Sequence, residues 1–351
     1  MPDLKYRLIR LGFDALHRTG VHRLAEPLTR GRGVILTLHH VKPRVEKAFS
    51  PCGLLEITPE FLDAVITRLR HLGYDLIALN DVPGRLAGQG GDRPFAVITF
   101  DDGYRDNAEF AAPVLRRHQA PYTVFITTGY ADRTAMLWWL DLERIIAANS
   151  RAACVIAGAP YDLPAHTLAE KQAAYNTIYW ALRKQTEAEA QRVMRGLCAA
   201  SGIDPADTVE RLCMNWDEAA LLAADPLVSI GAHSLTHPML ARMDASGMQA
   251  EIARSRDLIE ARIGRKVTSF AYPFGDTTAA GPREFEVARQ AGFTTAVTTR
   301  PGLIYAAHAA HPIALPRLSL NGLFQRISDF DVLLSGLPFA VYNRGHRLNV
   351  A

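Results

Sequence analysis

The sequence of 351 residues predicts an α/β fold with parallel strands, either a barrel or an open doubly wound sheet. Three observations lead there. Short, predominantly apolar runs recur at 34–38, 95–98, 122–126, 228–232, 268–272 and 294–298, the pattern of strands covered on both faces. Helical stretches alternate with these runs. Chemistry-bearing residues follow several runs directly, as in His39-His40, Asp101-Asp102 and His233, and ligands in parallel α/β architectures bind at the carboxyl ends of strands.

Taken in order, residues 3–30 read as a basic helix. Leu4, Leu8, Leu11 and Ala15 share one face, Ile9 and Leu16 lie beside them, and Lys5, Arg7, Arg10, Arg18 and Arg23 are interspersed. Such a helix either packs on its own domain or lies on an anionic membrane surface. After Gly31-Arg32-Gly33 comes the first strand, 34–38. Thr58 is placed to cap a helix with Pro59 at its first position and Phe61, Val65, Leu69 and Leu72 as its stripe. Residues 74–79 predict a strand, 83–94 a Gly-rich loop, 95–98 a strand led in by Pro94, 105–118 a helix and 122–126 a strand. Residues 136–224 read as a mostly helical insertion with a small hairpin around 155–163. Its Trp138, Trp139, Tyr179, Trp180 and Trp216 are expected in the core, with one or two free to stack on a ligand ring at the cleft edge. Alternation then resumes: strand 228–232, helix 246–263, strand 268–272, helix 284–291, strand 294–298, a last strand near 313–320 and a helix near 323–335.

Composition narrows the function classes. A hydrophobic content of 48% supports a full core, in one large domain with insertions or in two. A net charge of +3 gives no argument for nucleic acid. Cys52, Cys154, Cys198 and Cys213 are scattered without a C-x-x-C pair, which fits neither a disulfide framework nor a zinc knuckle and suggests free thiols in a reducing compartment. No run approaches the roughly 18 apolar residues of a membrane span. Arg7, Arg10 and Asp14 interrupt the apolar core that a secretory signal needs. The expected location is the cytoplasm, with residues 3–30 available for peripheral contact at the inner membrane face.

Three constellations carry chemistry. In Thr99-Phe100-Asp101-Asp102-Gly103-Tyr104 two carboxylates end a strand, and a break at Gly103 lets both reach one pocket. Adjacent carboxylates repel unless their roles separate, and a metal separates them by taking one as a ligand and leaving the other to handle protons. The plain alternative is a surface turn. His233-Ser234-Leu235-Thr236-His237 places two imidazoles on one face of a helical turn, and two imidazoles with one carboxylate make a frequent transition-metal set. A structural His pair is the alternative. Phe270-Ala271-Tyr272-Pro273-Phe274-Gly275 implies a tight turn that aims a backbone N–H, such as that of Phe274, into a pocket.

Together these motifs resemble the polysaccharide deacetylase family, the NodB-homology or carbohydrate esterase family 4 domain, from about residue 34 to about 320. The resemblance implies a distorted (β/α) barrel of about seven strands with a helical insertion, and metal-dependent hydrolysis of an acetyl group on a sugar. It implies a catalytic domain at 33–320 with the insertion at 136–224, a helical segment at 1–32 and a C-terminal helix and tail at 321–351. Carried over by position, Asp101 is the general base. Asp102, His233 and His237 hold one divalent ion, zinc first, with Co, Ni, Fe or Mn as alternatives. A metal-bound water is the nucleophile, Tyr272, Phe274 and His40 lie toward the substrate or oxyanion, and Thr99, Ser234 and Thr236 are supporting residues. Two departures stand out. The arginine of the family's R-x-P-[FY] motif is replaced by Ala271, and Arg317 on the last strand is the candidate substitute. The L-x-H general acid is missing, and His39, in a strand–His element like that of deacetylases acting on exported amino-sugar polymers, takes that role. The substrate implied is an acetylated amino sugar in an oligosaccharide, polysaccharide or lipid-linked precursor. Deformylase or O-acetyl esterase chemistry, and a silent carbohydrate-binding protein, are the alternatives.

Overall fold

The computed structural model describes residues 4–350. Seven strands form the framework: β1 (Gly33–Leu38), β2 (Phe95–Phe100), β3 (Tyr122–Ile126), β4 (Val228–Ala232), β5 (Ser269–Ala271), β6 (Thr295–Pro301) and β7 (Leu315–Ser319). Each pairs in parallel with the next. β7 returns to β1 through Leu36↔Leu318 and Thr37↔Ser319, so the sheet closes into a barrel.

Strand alternation sorts the side chains into two layers. Odd positions such as Ile35, Val97, Phe125, Ala271, Val297 and Leu315 fill the barrel interior. Even positions such as Leu36, Ile98, Val124, Phe270, Ala296 and Leu318 pack against the surrounding helices. Space inside is tight: a Cβ on Gly231 would lie 2.3 Å from the Phe125 ring, so glycine opposite phenylalanine is what fits. Odd parity carried past the strand ends delivers His39, Asp101 and His233 to the upper mouth, and it points Arg317 inward.

Several elements differ from expectation. Residues 3–30 form two helices, α1 (Leu4–Thr19) and α2 (Val21–Thr29), because Gly20 adopts φ 71° between them; Asp3 lies outside the described residues. The stripe of Leu8, Leu11 and Ala15 is exposed, and Phe13 from the other side of α1 is the buried contact. Only Asp75–Leu76 of the expected 74–79 strand pairs, outside the closed ring. The expected loop 83–94 begins as a helix, Val82–Leu86, and Leu79 and Val82 plug the barrel floor. The 105–118 helix opens with a π turn, Asn107–Ala111, where Pro113 denies an amide to the regular ladder. The helix expected near 323–335 is Ile327–Leu334, and a further short helix, Leu337–Tyr342, follows Gly336 at φ 80°.

Thr58 caps Pro59–His71 by accepting from the Phe61 amide. The expected insertion splits in two. Its helices from Trp138–Ala148 to Pro205–Leu212, with the hairpin Arg151–Ile156 and Ala159–Pro164, share a core of Trp138, Trp139, Leu142, Ile178 and Met194. The last helix, Trp216–Ala223, instead gives Ala219 and Leu222 to the barrel's outer layer. Trp180 is exposed. No helix among the described residues is long and apolar enough to cross a membrane.

Candidate active site

The carboxyl end of β2 delivers Asp101 and Asp102, both essentially buried. Asp101 continues the inward parity of Val97 and Thr99. Asp102 reaches the same mouth because the turn begins at Asp102 itself, at φ 72°, one residue before the expected break at Gly103. The turn is fixed from the insertion side: Met214 N donates to Gly103 O, and Arg105 reaches the Cys213 carbonyl and the Glu218 carboxylate.

Arg317 is buried and forks onto Asp101, Nη1 to Oδ1 at 2.8 Å and Nη2 to Oδ2 at 2.6 Å. Its Nη1 also donates to Thr99 Oγ1 and its Nε to the Thr298 carbonyl. Thr99 in turn donates to the Leu36 carbonyl, which ties the arginine to β1 and β2. Burial pushes the Asp101 carboxyl up, but Arg317 with His233 and His39 outweighs it, so the group stays ionised below the ordinary carboxylate range. Ala271 also faces the interior; an arginine supplied by β7 occupies space that a long side chain from β5 would need.

His233 and His237 do not share a helical turn. They lie in an irregular loop after β4, with Ser234 at φ 64° and His237 at φ 60°. His237 N donates to Ser234 Oγ. Glu251, from the helix Ala245–Ile263, accepts from Leu235 N, Thr236 N and Thr236 Oγ1, so Thr236 supports the loop from outside the pocket. Non-glycine residues in this region of backbone cost of order 1–3 kcal/mol each, and Asp102, Ser234, His237 and Phe274 all occupy it.

The Nε2 atoms of His233 and His237 lie 3.5 and 3.4 Å from Asp102 Oδ1. His233 Nδ1 donates to the Ala271 carbonyl at 2.7 Å, leaving the Nε2 lone pair directed at the cluster. Asp102 Oδ1 is buried and accepts no hydrogen bond among the described residues. Metal–ligand bonds of about 2.1 Å at tetrahedral angles put ligand atoms about 3.4 Å apart, so these three residues fit a divalent ion. Burial drives His237 down to about 3 despite Asp102, which keeps it neutral as a ligand must be. Asp102 is held well below the carboxylate range: burial acts upward, and the two histidines prevail.

His39 is half-buried at the end of β1, and its carbonyl accepts from Asn107 Nδ2 at 2.7 Å. Burial lowers its pKa while Asp101 and Asp102 act to raise it, which places the imidazole within their field. His40 and Tyr272 do not lie toward the substrate side, contrary to expectation. His40 turns the other way, giving Nδ1 to Asp106 Oδ2 at 2.6 Å and stacking on Tyr104 at 3.6 Å between ring centroids. Tyr272 has even parity, packs among Phe270 and Phe285 in the outer layer and donates to the Ile313 carbonyl. Neither faces the mouth.

Phe274, at φ 58°, lays its ring against His237 and against Trp138 and Trp139 of the insertion. Its amide donates to no other group among the described residues. Arg183 stacks 4.2 Å from the Phe274 ring centroid and pairs with Asp276, so the insertion braces this turn. Glu251, Asp106 and Arg183 were missed in the sequence. Only Glu251 left a trace there, as a carboxylate beside the buried stripe Met248, Ile252, Ser255 and Ile259 of its helix.

A buried carboxylate forked by arginine beside an Asp-His-His cluster, at the mouth of a parallel barrel, is the kind of arrangement that metal-assisted hydrolysis uses. The family model described as polysaccharide deacetylase matches residues 88–296. The chain belongs to the polysaccharide deacetylase family, a family of hydrolases. His39 and Arg317 lie outside the matched segment. The fold is shared with a deacetylase, PplD, from Streptococcus pyogenes (15% identity, 86% of this chain and 96% of that one, TM-score 0.56). It is also shared with a de-N-acetylase from Aggregatibacter actinomycetemcomitans (14%, 86% and 99%, 0.53) and with IcaB from Ammonifex degensii (17%, 88% and 97%, 0.52). No curated protein matches the sequence.

Proposed function

We propose that this protein removes the N-acetyl group from an amino sugar within an oligosaccharide, a polysaccharide or its lipid-linked precursor. The observation that carries the reading is the Asp101–Arg317 fork set beside the Asp102, His233 and His237 cluster. These three residues would hold one divalent ion, zinc first, which when bound supplies a Lewis acid for the acyl oxygen and makes water more acidic.

The chain's own residues do the rest. Asp101, kept ionised by Arg317, takes a proton from the water that attacks the acetyl carbon. Arg317 holds both carboxylate oxygens, so the base does not rotate during transfer. The Phe274 amide, which donates to no other group among the described residues, is the candidate donor to the developing oxyanion. His39 gives a proton to the sugar nitrogen as the carbon–nitrogen bond breaks, releasing acetate and the free amine. The proton collected at Asp101 balances the one spent by His39. Burial makes a charged His39 surrender its proton readily.

The test is acetate release from N-acetylglucosamine oligomers, with metal content measured on the same samples of wild type and Asp101→Asn. Metal near one per chain in both proteins, with acetate release lost by about 10²-fold or more in the variant, is expected. Release from formyl or O-acetyl substrates alone would reassign the acyl group. Bound metal without acyl release from any of these would favour a silent carbohydrate-binding protein.

A further inference from the structure

The helix pair at the amino end leaves its apolar stripes uncovered. On α1, Leu8 and Leu11 are 58% and 64% exposed; on α2, Leu24 and Leu28 are 81% and 73% exposed. The spacings of three and four put each pair on one face. The helices are nonetheless firmly attached, through other side chains. Phe13 packs on Phe324 at 5.2 Å between centroids, Asp14 pairs with Arg326 at 2.8 Å, and Thr29 Oγ1 donates to the Ser335 carbonyl at 2.6 Å. The outward leucines are therefore not the contact that holds the segment in place. The C-terminal helix Leu337–Tyr342 extends the same surface with Val341 and Tyr342, 72% and 70% exposed. Arg347 joins the two by donating to the Leu28 carbonyl.

Charge is concentrated in the same place. Residues 4–32 hold seven Lys and Arg against two carboxylates, whereas the whole chain is only +3, so the remainder is net negative. Arg7, Arg18 and Arg23 are exposed and have no ion-pair partner among the described residues. Apolar side chains that leave the protein between unpaired cations match a single surface, one with hydrocarbon beneath a layer of negative charge.

We propose that α1, α2 and the end of the C-terminal helix dock the protein on an anionic lipid bilayer. The docking face meets the catalytic rim. Arg10 donates to the Leu323 carbonyl, and Leu323 belongs to the loop that leaves the carboxyl end of β7, so α1 runs alongside the mouth of the barrel. Docking in this way presents the mouth to material carried at the bilayer. The inference stands apart from the deacetylase reading, since its test measures binding and not turnover.

The experiment is cosedimentation of the full chain with vesicles of phosphatidylcholine, alone or with about one quarter phosphatidylglycerol, at low salt and at about 0.5 M salt. Two variants accompany wild type: L8S/L11S/L24S/L28S, and R7E/R18E/R23E. Thermal unfolding of each confirms that the exposed substitutions leave the fold intact. Wild type is expected to sediment with the anionic vesicles at low salt and to be released by high salt, with partitioning about tenfold weaker in either variant. Wild type remaining in the supernatant overturns the proposal, as does a leucine variant that binds as well as wild type. Self-association of wild type that the leucine variant abolishes, without vesicle binding by either, would assign the surface to a second copy of the chain and likewise overturn it.

Discussion

Replacing Arg317 by methionine tests the arrangement on which the catalytic reading depends. The substitution keeps the bulk of the side chain and removes four hydrogen bonds, two to Asp101 and one each to Thr99 and the Thr298 carbonyl. Asp101 is 1% exposed, and the methionine fills the guanidinium's side of it without replacing its hydrogen bonds. Breaking a buried ion pair from one side costs about 3–5 kcal/mol. Part of that cost is relieved when the stranded carboxyl takes up a proton, because burial is the largest influence on it and acts upward. A protonated Asp101 is no base, so acetate release is expected to fall by about 10²–10⁴-fold. Arg317→Lys keeps a charge but loses the fork, and a loss nearer tenfold is expected. Urea unfolding supplies the second readout: adding Asp101→Asn to Arg317→Met is expected to restore stability, since no charge is left stranded. Moving the arginine back, as Ala271→Arg with Arg317→Ala, is expected to recover more activity than Arg317→Ala alone. An Arg317→Met enzyme within about threefold of wild type in kcat/KM would refute the reasoning, as would a double variant showing the full sum of the two destabilisations.

The two adjacent histidines are expected to separate cleanly. His39→Ala loses about 10²-fold or more in acetate release at unchanged stability, whereas His40→Ala leaves Asp106 Oδ2 without its donor, opens space beside Tyr104 and unfolds earlier in a thermal scan, by an amount equivalent to about 1–3 kcal/mol. Glu251→Ala frees three donors of the His233–His237 loop; metal retention under chelator challenge is expected to fall about tenfold or more, although Glu251 does not face the cluster. Stability should also fall with acid through His308, which is buried and held down to about 4 by burial. The unfolded chain protonates this group near 6.5, so between those values it binds more protons than the fold does. Stability is therefore lost as pH drops from about 6.5 toward 4, by about 3 kcal/mol at most. His308→Gln is expected to flatten that part of the urea-derived pH profile, and an unchanged profile would rule the group out.

The barrel strands were legible because each is buried on both faces and so reads as an apolar run, as in Val34 to Leu38 and Phe95 to Phe100. The positions of Asp101, Asp102, His233 and His237 followed from those strand ends. What failed was local backbone. No pattern of types announces that Asp102, Ser234 and His237 adopt positive φ, because tertiary contacts such as the Glu251 bonds hold them there. Tyr272 was misplaced although strand parity contained the answer: it is one step from inward-facing Ala271. The leucine face of α1 is compatible with packing or with an anionic membrane surface, and the fold packs the helix through Phe13 instead, since amphipathicity identifies a face without saying what covers it. Asp106 and Arg183 act across long sequence separations, and no local period encodes them.

The closure of β7 onto β1 also sets an order of events during synthesis. Asp101, Asp102, His39, His233 and His237 have all left the ribosome well before residues 315–319, yet the arginine that fixes Asp101 arrives with them. Until then the nascent barrel has two open strand edges, at β1 and β6, which are the features that invite pairing with other chains. Barrel completion and completion of the site are thus the same event, and a chain stalled or cut before residue 317 has the Asp102, His233 and His237 cluster but not the arginine that holds Asp101.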